Sequence, residues 1–182
     1  KVVLKSEITS MKELKAQGFV HIIVAVGASK SGMLNLNSGE AMNALEFLQR
    51  CKRAEISSET FTPGKNIVII GGGNTAMDAA RAAKRLPGVD NVSLVYRRTK
   101  RYMPAAEEEL ILAKEEGILF RELLSPVELV DGELLCCKII LGEPDENGRR
   151  RPVETKDLIK IPADMVVAAV GEQVDTKIFT DN

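Results

Sequence analysis

The stretch KNIVIIGGGNTAMDAARAAKR (residues 65–85) decides the reading of the chain. Asn66-Ile67-Val68-Ile69-Ile70 is an apolar run rich in β-branched side chains, the composition of a strand buried on both faces. A helix follows at once. Between them lies Gly71-Gly72-Gly73-Asn74-Thr75-Ala76, a Gly-x-Gly-x-x-Ala fingerprint at a strand-to-helix turn. Gly71 permits the sharp turn, Gly73 offers no Cβ to obstruct a pyrophosphate, and Ala76 lets helix and strand pack closely. The amides of the first helical turn, with the helix dipole behind them, favour a doubly negative diphosphate. Ala76, Ala80 and Ala83 then share one helical face, as close packing on a sheet demands. A ligand-free βα turn would use the same glycines, but strand, turn and alanine-lined helix together favour a dinucleotide site, with Gly71, Gly72, Gly73, Asn74, Thr75 and Ala76 as its candidate residues.

Working outward, residues 91–96 read as the next strand, after Pro87-Gly88 ends the helix, and complete a βαβ unit. Upstream, residues 2–4 suggest a short strand and residues 9–17 a polar helix stopped by Gly18. Residues 19–26 suggest a strand ending at Gly27, and residues 32–39 a loop. Ser38 is placed to cap a helix over residues 39–53, with Ala41, Met42, Leu45 and Leu48 as its apolar stripe and Phe47 to one side. Residues 56–63 read as a polar linker. Downstream, Pro104 is placed to open a helix running to Glu116, with Gly117 as its stop, followed by a strand over residues 118–124. Residues 127–130 and 133–141 form a β-hairpin on Asp131-Gly132, residues 142–154 a polar excursion, and residues 164–170 a buried strand ending at Gly171. The expected class is α/β: a Rossmann-like, mainly parallel sheet with helices on its faces and an added antiparallel hairpin.

At 182 residues and 45% hydrophobic the chain can bury a good core, and its net charge of −1 points to neither nucleic acid nor a membrane surface. No apolar run reaches the roughly 20 residues that span a bilayer. Cys51 and the adjacent Cys136-Cys137 have neither C-x-x-C nor metal-ligand spacing, so no metal site is expected and the thiols read as reduced and buried in a cytoplasmic protein. His21, the single histidine, sits in an apolar run and reads as strand filling.

At the end of the second strand of such a unit, the residue that reads the adenosine ribose is an acid when the cofactor is NAD. Here Val95-Tyr96 runs into Arg97-Arg98, with Lys100 and Arg101 behind. The planar guanidinium fork suits a phosphate, so Arg97, Arg98 and Arg101 point to NADPH; a solvated basic loop is the bland reading.

These residues carry a family resemblance. Gly71-x-Gly73-Asn74-x-Ala76-x-Asp78-x-Ala80-Arg81 resembles the NADPH-domain motif of the adrenodoxin reductase and glutamate synthase small-subunit branch of two-dinucleotide flavoproteins. Tyr96-Arg97-Arg98 and Met103-Pro104 are similar to the glutamate synthase side. Residues 141–145, 148–155 and Val170-Gly171-Glu172-Gln173 resemble the selenate reductase subunit within that group. The resemblance spans most of the chain and implies an NADPH domain inserted into an FAD domain. Val24-Ala25-Val26-Gly27 and Ala168-Ala169-Val170-Gly171 would then be the two crossings, with Gly27 and Gly171 near cofactor; Val174 stands where many relatives have Pro. Residues 1–27 would be a crossing segment, 28–163 the NAD(P)H domain and 164–182 the return strand toward an FAD domain outside this sequence. The start at Lys1 without Met suggests a segment of a longer chain.

By the same resemblance, hydride passes from nicotinamide to FAD, and electrons go on to iron–sulfur centres in other domains, none of whose cysteine ligands lies here. Asp78 matches an acid near the nicotinamide–flavin junction, although a helix-surface carboxylate is an equally good description. A non-catalytic nucleotide-sensing module and a Rossmann transferase of another adenosine ligand remain as alternatives; the basic pair in place of a ribose acid disfavours the second.

Overall fold

The computed structural model describes residues 2–28, 30–32, 34–57, 60–146 and 148–174. The chain divides into two compact units, residues 32–171 and residues 1–31 with 172–182. Its elements begin with α1 (Met11–Ala16), β1 (Lys30–Ser31), β2 (Met42–Asn43) and α2 (Ala44–Ser57). There follow β3 (Asn66–Ile70), α3 (Asn74–Lys84), β4 (Asn91–Tyr96), a 3-10 turn (Lys100–Tyr102) and α4 (Glu107–Glu115). The chain continues through β5 (Leu119–Glu122), β6 (Leu124–Val130), β7 (Glu133–Pro144), β8 (Arg150–Pro162), β9 (Met165–Ala168) and β10 (Glu172–Gln173).

In the smaller unit α1 is capped by Ser10, whose hydroxyl accepts from the Lys12 amide, and is followed by Gly18 at φ 91°. β1 and β10 pair antiparallel. Residues 2–4 and 19–26, expected as strands, are not strands. Their β-branched composition suits a sheet, but a strand needs a neighbour for its backbone groups, and among the described residues none pairs with them. Val20 and Ile23 are left 85% and 94% exposed.

The larger unit is built on a five-stranded parallel sheet of order β2-β9-β3-β4-β5. β3 lies at its centre, and its alternation sends side chains to both faces. Ile67 and Ile69, with Val92, Leu94 and Val167, face a core shared with α2, α3 and α4. Val68 and Ile70, with Val95 and Val166, face a second core shared with Leu124, Leu134, Cys136 and Ile161 of the antiparallel sheet β6-β7-β8. The result is three layers: helices, parallel sheet, antiparallel sheet. On α3, Ala76, Met77, Ala79, Ala80 and Ala83 are all buried, so small side chains bring this helix close to the sheet.

The helix expected from residue 39 starts at Ala44, capped by the Asn43 carboxamide rather than Ser38, because residues 42–43 first pair with β9. With Ala41 and Met42 outside the helix, its buried face is set by Ala44 and Phe47: Phe47, expected off to one side, is fully buried and meets Phe61 edge-on at 5.8 Å. Pro104 follows the 3-10 turn and lies outside α4, which begins only at Glu107, because the amides of Ala105 and Ala106 are drawn to Gly72 O and Asn74 Oδ1. The strand expected over residues 118–124 breaks at Leu123 (φ 57°), whose amide donates to Arg98 O while its carbonyl accepts from Ile139 N. At that corner the chain leaves the parallel sheet and enters the antiparallel one. The polar excursion at 142–154 is an antiparallel ribbon, the outer parts of β7 and β8, so the expected hairpin on Asp131-Gly132 is part of a three-stranded sheet. Both residues of that turn have positive φ, 52° and 74°, as a two-residue hairpin of matching twist requires.

Two polar contacts pin these layers. Arg81 of α3 bonds Glu109 (2.9 Å) and Glu116 (2.8 Å), at either end of α4, and Arg85 shares Glu116. Partial burial pushes the Glu116 carboxyl upward, but the bond from Arg81 and the charges of Arg85 and Arg81 outweigh it and hold the group below its ordinary value. At the entry to β3, Asp164 Oδ2 accepts from the amides of Lys65 (2.9 Å) and Asn66 (2.8 Å) and from the Asn66 carboxamide (3.2 Å). Gly64, at φ 98°, lies so near that a Cβ would collide with Asp164.

The Asn66 N–H lowers the Asp164 pKa most, desolvation opposes it, and the Lys65 amide and the Asn66 side chain bring the balance down. The sign follows from linkage: a carboxyl depressed in the folded state stabilises fully above its unfolded value, near 3.9, and loses that contribution as pH falls through the folded value. Asp164→Ala should therefore cost about 1 kcal/mol at pH 7, the worth of a helix-cap-like acceptor on an exposed carboxylate. Urea unfolding of both chains should show that gap narrowing below about pH 4; a gap unchanged down to pH 2 would contradict the assignment. Phe47→Ala should cost about 3 to 5 kcal/mol in the same assay, against under 1 if Phe47 were peripheral.

Candidate functional site

Open α/β sheets bind ligands beyond the carboxyl ends of their strands, where the strand order reverses. In this chain β3 is followed on one side by β4 and β5, and the chain later returns to lay β9 along the other side of β3. The reversal therefore falls between β3 and β9. Their carboxyl ends lead into Gly71-Gly72-Gly73 and Ala169-Val170-Gly171.

The geometry of the glycine turn explains each of its residues. Gly71 has φ 147°, its amide donates to Val95 O (3.1 Å), and a Cβ there would collide with the Ala169 carbonyl. Gly72 is packed on the Tyr96 ring, where a Cβ would sit 2.7 Å from Cε2. Gly73 is different. Nothing lies nearer to its missing Cβ than Pro104 Cγ at 3.9 Å. It is also the N-cap residue of α3, so no cap side chain covers the first turn. A dinucleotide's diphosphate needs such a cradle, open above a helix N-terminus and lined by backbone.

A strap of chain holds this turn from the side of β4. The Tyr96 hydroxyl donates to Tyr102 O (2.8 Å), the Ala105 amide donates to Gly72 O (3.1 Å), and the Ala106 amide donates to Asn74 Oδ1 (2.9 Å). Asn74, expected at the cofactor, thus also ties the start of α3 to the start of α4. Ala76 is buried beneath the turn, and Thr75 is partly buried beside it. Asp78 lies exposed on the next turn of α3, with no hydrogen bond or ion pair to another described residue.

Arg97 and Arg98 directly follow β4, whose Val95 pairs with Ile70 of β3, so they emerge beside the glycine turn. Arg97 is exposed and bonds no described residue; Arg98 is half-buried and its Nε donates to Arg150 O at 3.1 Å. Arg101 is exposed on the 3-10 turn, while the Lys100 ammonium stands 5.4 Å from the centre of the Phe120 ring. Gly27 and Gly171 both have positive φ, 68° and 99°, in open space, but fall in different units. Sequence reasoning quoted Tyr96 and Ala169 within motifs without foreseeing their contacts with the glycine turn, and it missed those of Gly32 and Arg150. Gly32 donates its amide to Gly171 O and would collide with Val170 if it carried a Cβ. Only a glycine within a loop hinted at that contact.

Among the described residues no group of three or more His, Cys, Asp or Glu side chains is placed to hold a metal, and no helix is long and apolar enough to cross a membrane. The cysteines are unpaired. Burial pushes the thiols of Cys51 to about 11 and Cys136 to about 12, far from the thiolate a redox relay needs.

The family model of pyridine nucleotide-disulphide oxidoreductases matches residues 1–182. A protein of Escherichia coli (strain K12) named "Putative oxidoreductase YgfK" is 41% identical over 172 residues, covering 92% of this chain and 16% of its own length. The glutamate synthase (NADPH) small chain of Halomonas elongata is 42% identical over 115 residues, covering 60% of this chain and 24% of its own. The chain thus spans a quarter or less of the length of these relatives. Among solved structures, Mycobacterium tuberculosis FprA in complex with NADPH has TM-score 0.67 at 21% identity, over 81% of this chain and 49% of that one, a likeness of fold. With a glycine cradle at the reversal of a parallel sheet and a family match along its whole length, the chain belongs to the pyridine nucleotide-disulphide oxidoreductases.

Proposed function

We propose that this chain is the NADPH-binding part of a flavin-dependent oxidoreductase of the glutamate synthase small-subunit type. The observation that carries the reading is the pairing of an open cradle at Gly73 with a basic pair at the end of the adjacent strand. The first suits a diphosphate and the second a 2′-phosphate, the two anionic groups of NADPH. The names of the relatives agree, since NADPH stands in that of the glutamate synthase small chain.

In this reading Gly72 to Thr75 hold the pyrophosphate by backbone and helix dipole, with Gly71 and Ala76 shaping the turn beneath it, while Arg97 and Arg98 clasp the 2′-phosphate with Arg101 behind them. Asp78, one turn into α3, orients the nicotinamide carboxamide or a neighbouring group of the flavin domain. Bound NADPH supplies the hydride and FAD accepts it, so the residues of this chain need only place one cofactor against the other. Gly27 and Gly171 mark the crossings, residues 1–27 and 164–182 lead to an FAD domain, and residues 28–163 form the NADPH domain; β9 within the second segment also completes the parallel sheet. The exposed apolar residues Val20 and Ile23 support a docking role for the first crossing. FAD belongs mainly to that other domain, because this sequence holds a single glycine fingerprint, already assigned to NADPH. Iron–sulfur centres of the parent protein or complex would receive the electrons, and unpaired thiols suit a cytoplasmic setting.

Arg97→Ala and Arg98→Ala should each weaken NADPH binding about tenfold or more and leave NADH nearly untouched, since a charge-assisted hydrogen bond is worth roughly 1.5 to 3 kcal/mol and NADH never uses the fork. Raising the salt should erode the preference. Calorimetric titration of the three chains with both nucleotides decides. Equal losses would move the arginines to a role in folding, and a wild-type chain indifferent to the 2′-phosphate would return them to solvent. The 182-residue chain should also purify without stoichiometric flavin; yellow protein holding FAD one-to-one would refute that part.

A further inference from the structure

Resting on the NADPH reading, we propose that the β7–β8 ribbon positions Arg98 through the backbone carbonyl of residue 150, and so sets how strongly the site prefers a 2′-phosphate. The two arginines at the end of β4 are not equivalent. Arg97 projects into solvent and bonds no described residue. Arg98 donates from Nε to Arg150 O at 3.1 Å, which leaves the terminal nitrogens of its fork as the phosphate-binding edge. Its backbone is held too, because Arg98 O accepts from Leu123 N, and Leu123 O accepts from Ile139 N at 2.8 Å in β7. The ribbon is itself clamped at this level: Arg150 Nε donates to Gly142 O at 2.8 Å, across a shift in strand register between Leu141 and Pro144. One chain of hydrogen bonds therefore runs from the cofactor loop into β7 and returns through β8 to the same guanidinium.

The consequence is entropic. An arginine on a loop loses rotamer freedom when it clasps a phosphate, and a carbonyl that already holds Nε removes part of that cost before the ligand arrives. Both arginines then contribute to the clasp, Arg98 pre-ordered by the ribbon and Arg97 ordered only when the phosphate arrives.

The test shortens the ribbon in the full chain by replacing residues 143–150 with Asn-Gly, which joins Gly142 to Arg151 through a two-residue hairpin turn. This replaces the strand carbonyl of residue 150 by that of a positive-φ turn glycine, which points in a different direction. It also removes Glu143, Asp145 and Glu146 against Arg149 and Arg150, a net negative charge, so electrostatics alone would strengthen phosphate binding. The expected result is the opposite: NADPH affinity falls about threefold to tenfold, the worth of one pre-ordered side chain, while NADH affinity holds. An unchanged NADPH-to-NADH ratio, or equal loss of both nucleotides, overturns the proposal. A wild-type chain with no NADPH preference overturns the functional reading instead. Should the shortened chain fail to fold, the cofactor-free wild type still answers by nitrogen-15 NMR. The Nε–H of Arg98, assigned with Arg98→Lys, should exchange with water more slowly than that of Arg97, and equal exchange overturns the proposal.

Discussion

The fold depends on one close approach: the α-carbon of Gly71 against the carbonyl of Ala169, with room for hydrogen and for nothing larger. That contact lets β3 end and α3 begin while β9 still lies alongside, with Ala169 N donating to Ile70 O at 2.8 Å. The crevice between two parallel strands is consequently walled by backbone rather than filled by side chains. Everything else in the larger unit supports that arrangement. Alanines bring α3 down onto the sheet, Arg81 ties α3 to α4, and the strap at residues 102–106 hydrogen-bonds the turn from its flank.

Where the charges lie follows from the same geometry. Glu109 and Glu116 are engaged with Arg81 and Arg85 on the helix side, and Asp164 is engaged at the amino end of β3. At the carboxyl ends, the chain after Tyr96 offers Arg97 and Arg98 and no acid where a ribose hydroxyl would need one. Basic side chains are thereby placed at the end of the sheet where the helix dipole also favours negative charge. The antiparallel sheet, which packs on the face of the parallel sheet opposite the helices, reaches the same end through its contact with Arg98.

Local pattern made the centre of this fold legible and left its outskirts obscure. Asn66–Ile70, Asn74–Lys84 and Asn91–Tyr96 are strongly periodic and flanked by glycine or proline, so their type and order could be read directly. Phe47 was misplaced because Ala41 and Met42 were counted in the apolar stripe, whereas the helix begins only at Ala44, after residues 42–43 have paired with β9. Arg150–Pro162 does not read as a strand: residues 150–154 fall in a polar excursion and the rest carries no assignment, because its charged residues mask a strand whose backbone, not its side chains, makes the pairing. Residues 19–26 erred the other way: apolar composition suggested a strand, but no described strand completes the ladder. The bonds from Ala106 to Asn74 and from Arg98 to Arg150 join residues 32 and 52 positions apart, and no local window carries such information.

The central claim is that the glycine turn and the end of β4 together form one dinucleotide site. The most direct measurement is a nitrogen-15 NMR titration of the intact chain with NADPH, following every backbone amide. The account predicts that the largest shifts fall on Gly72 to Ala76 and on Arg97 and Arg98, saturating together at one affinity. Shifts confined to α2 or to the outer face of the antiparallel sheet, with the glycine turn unmoved, would contradict it.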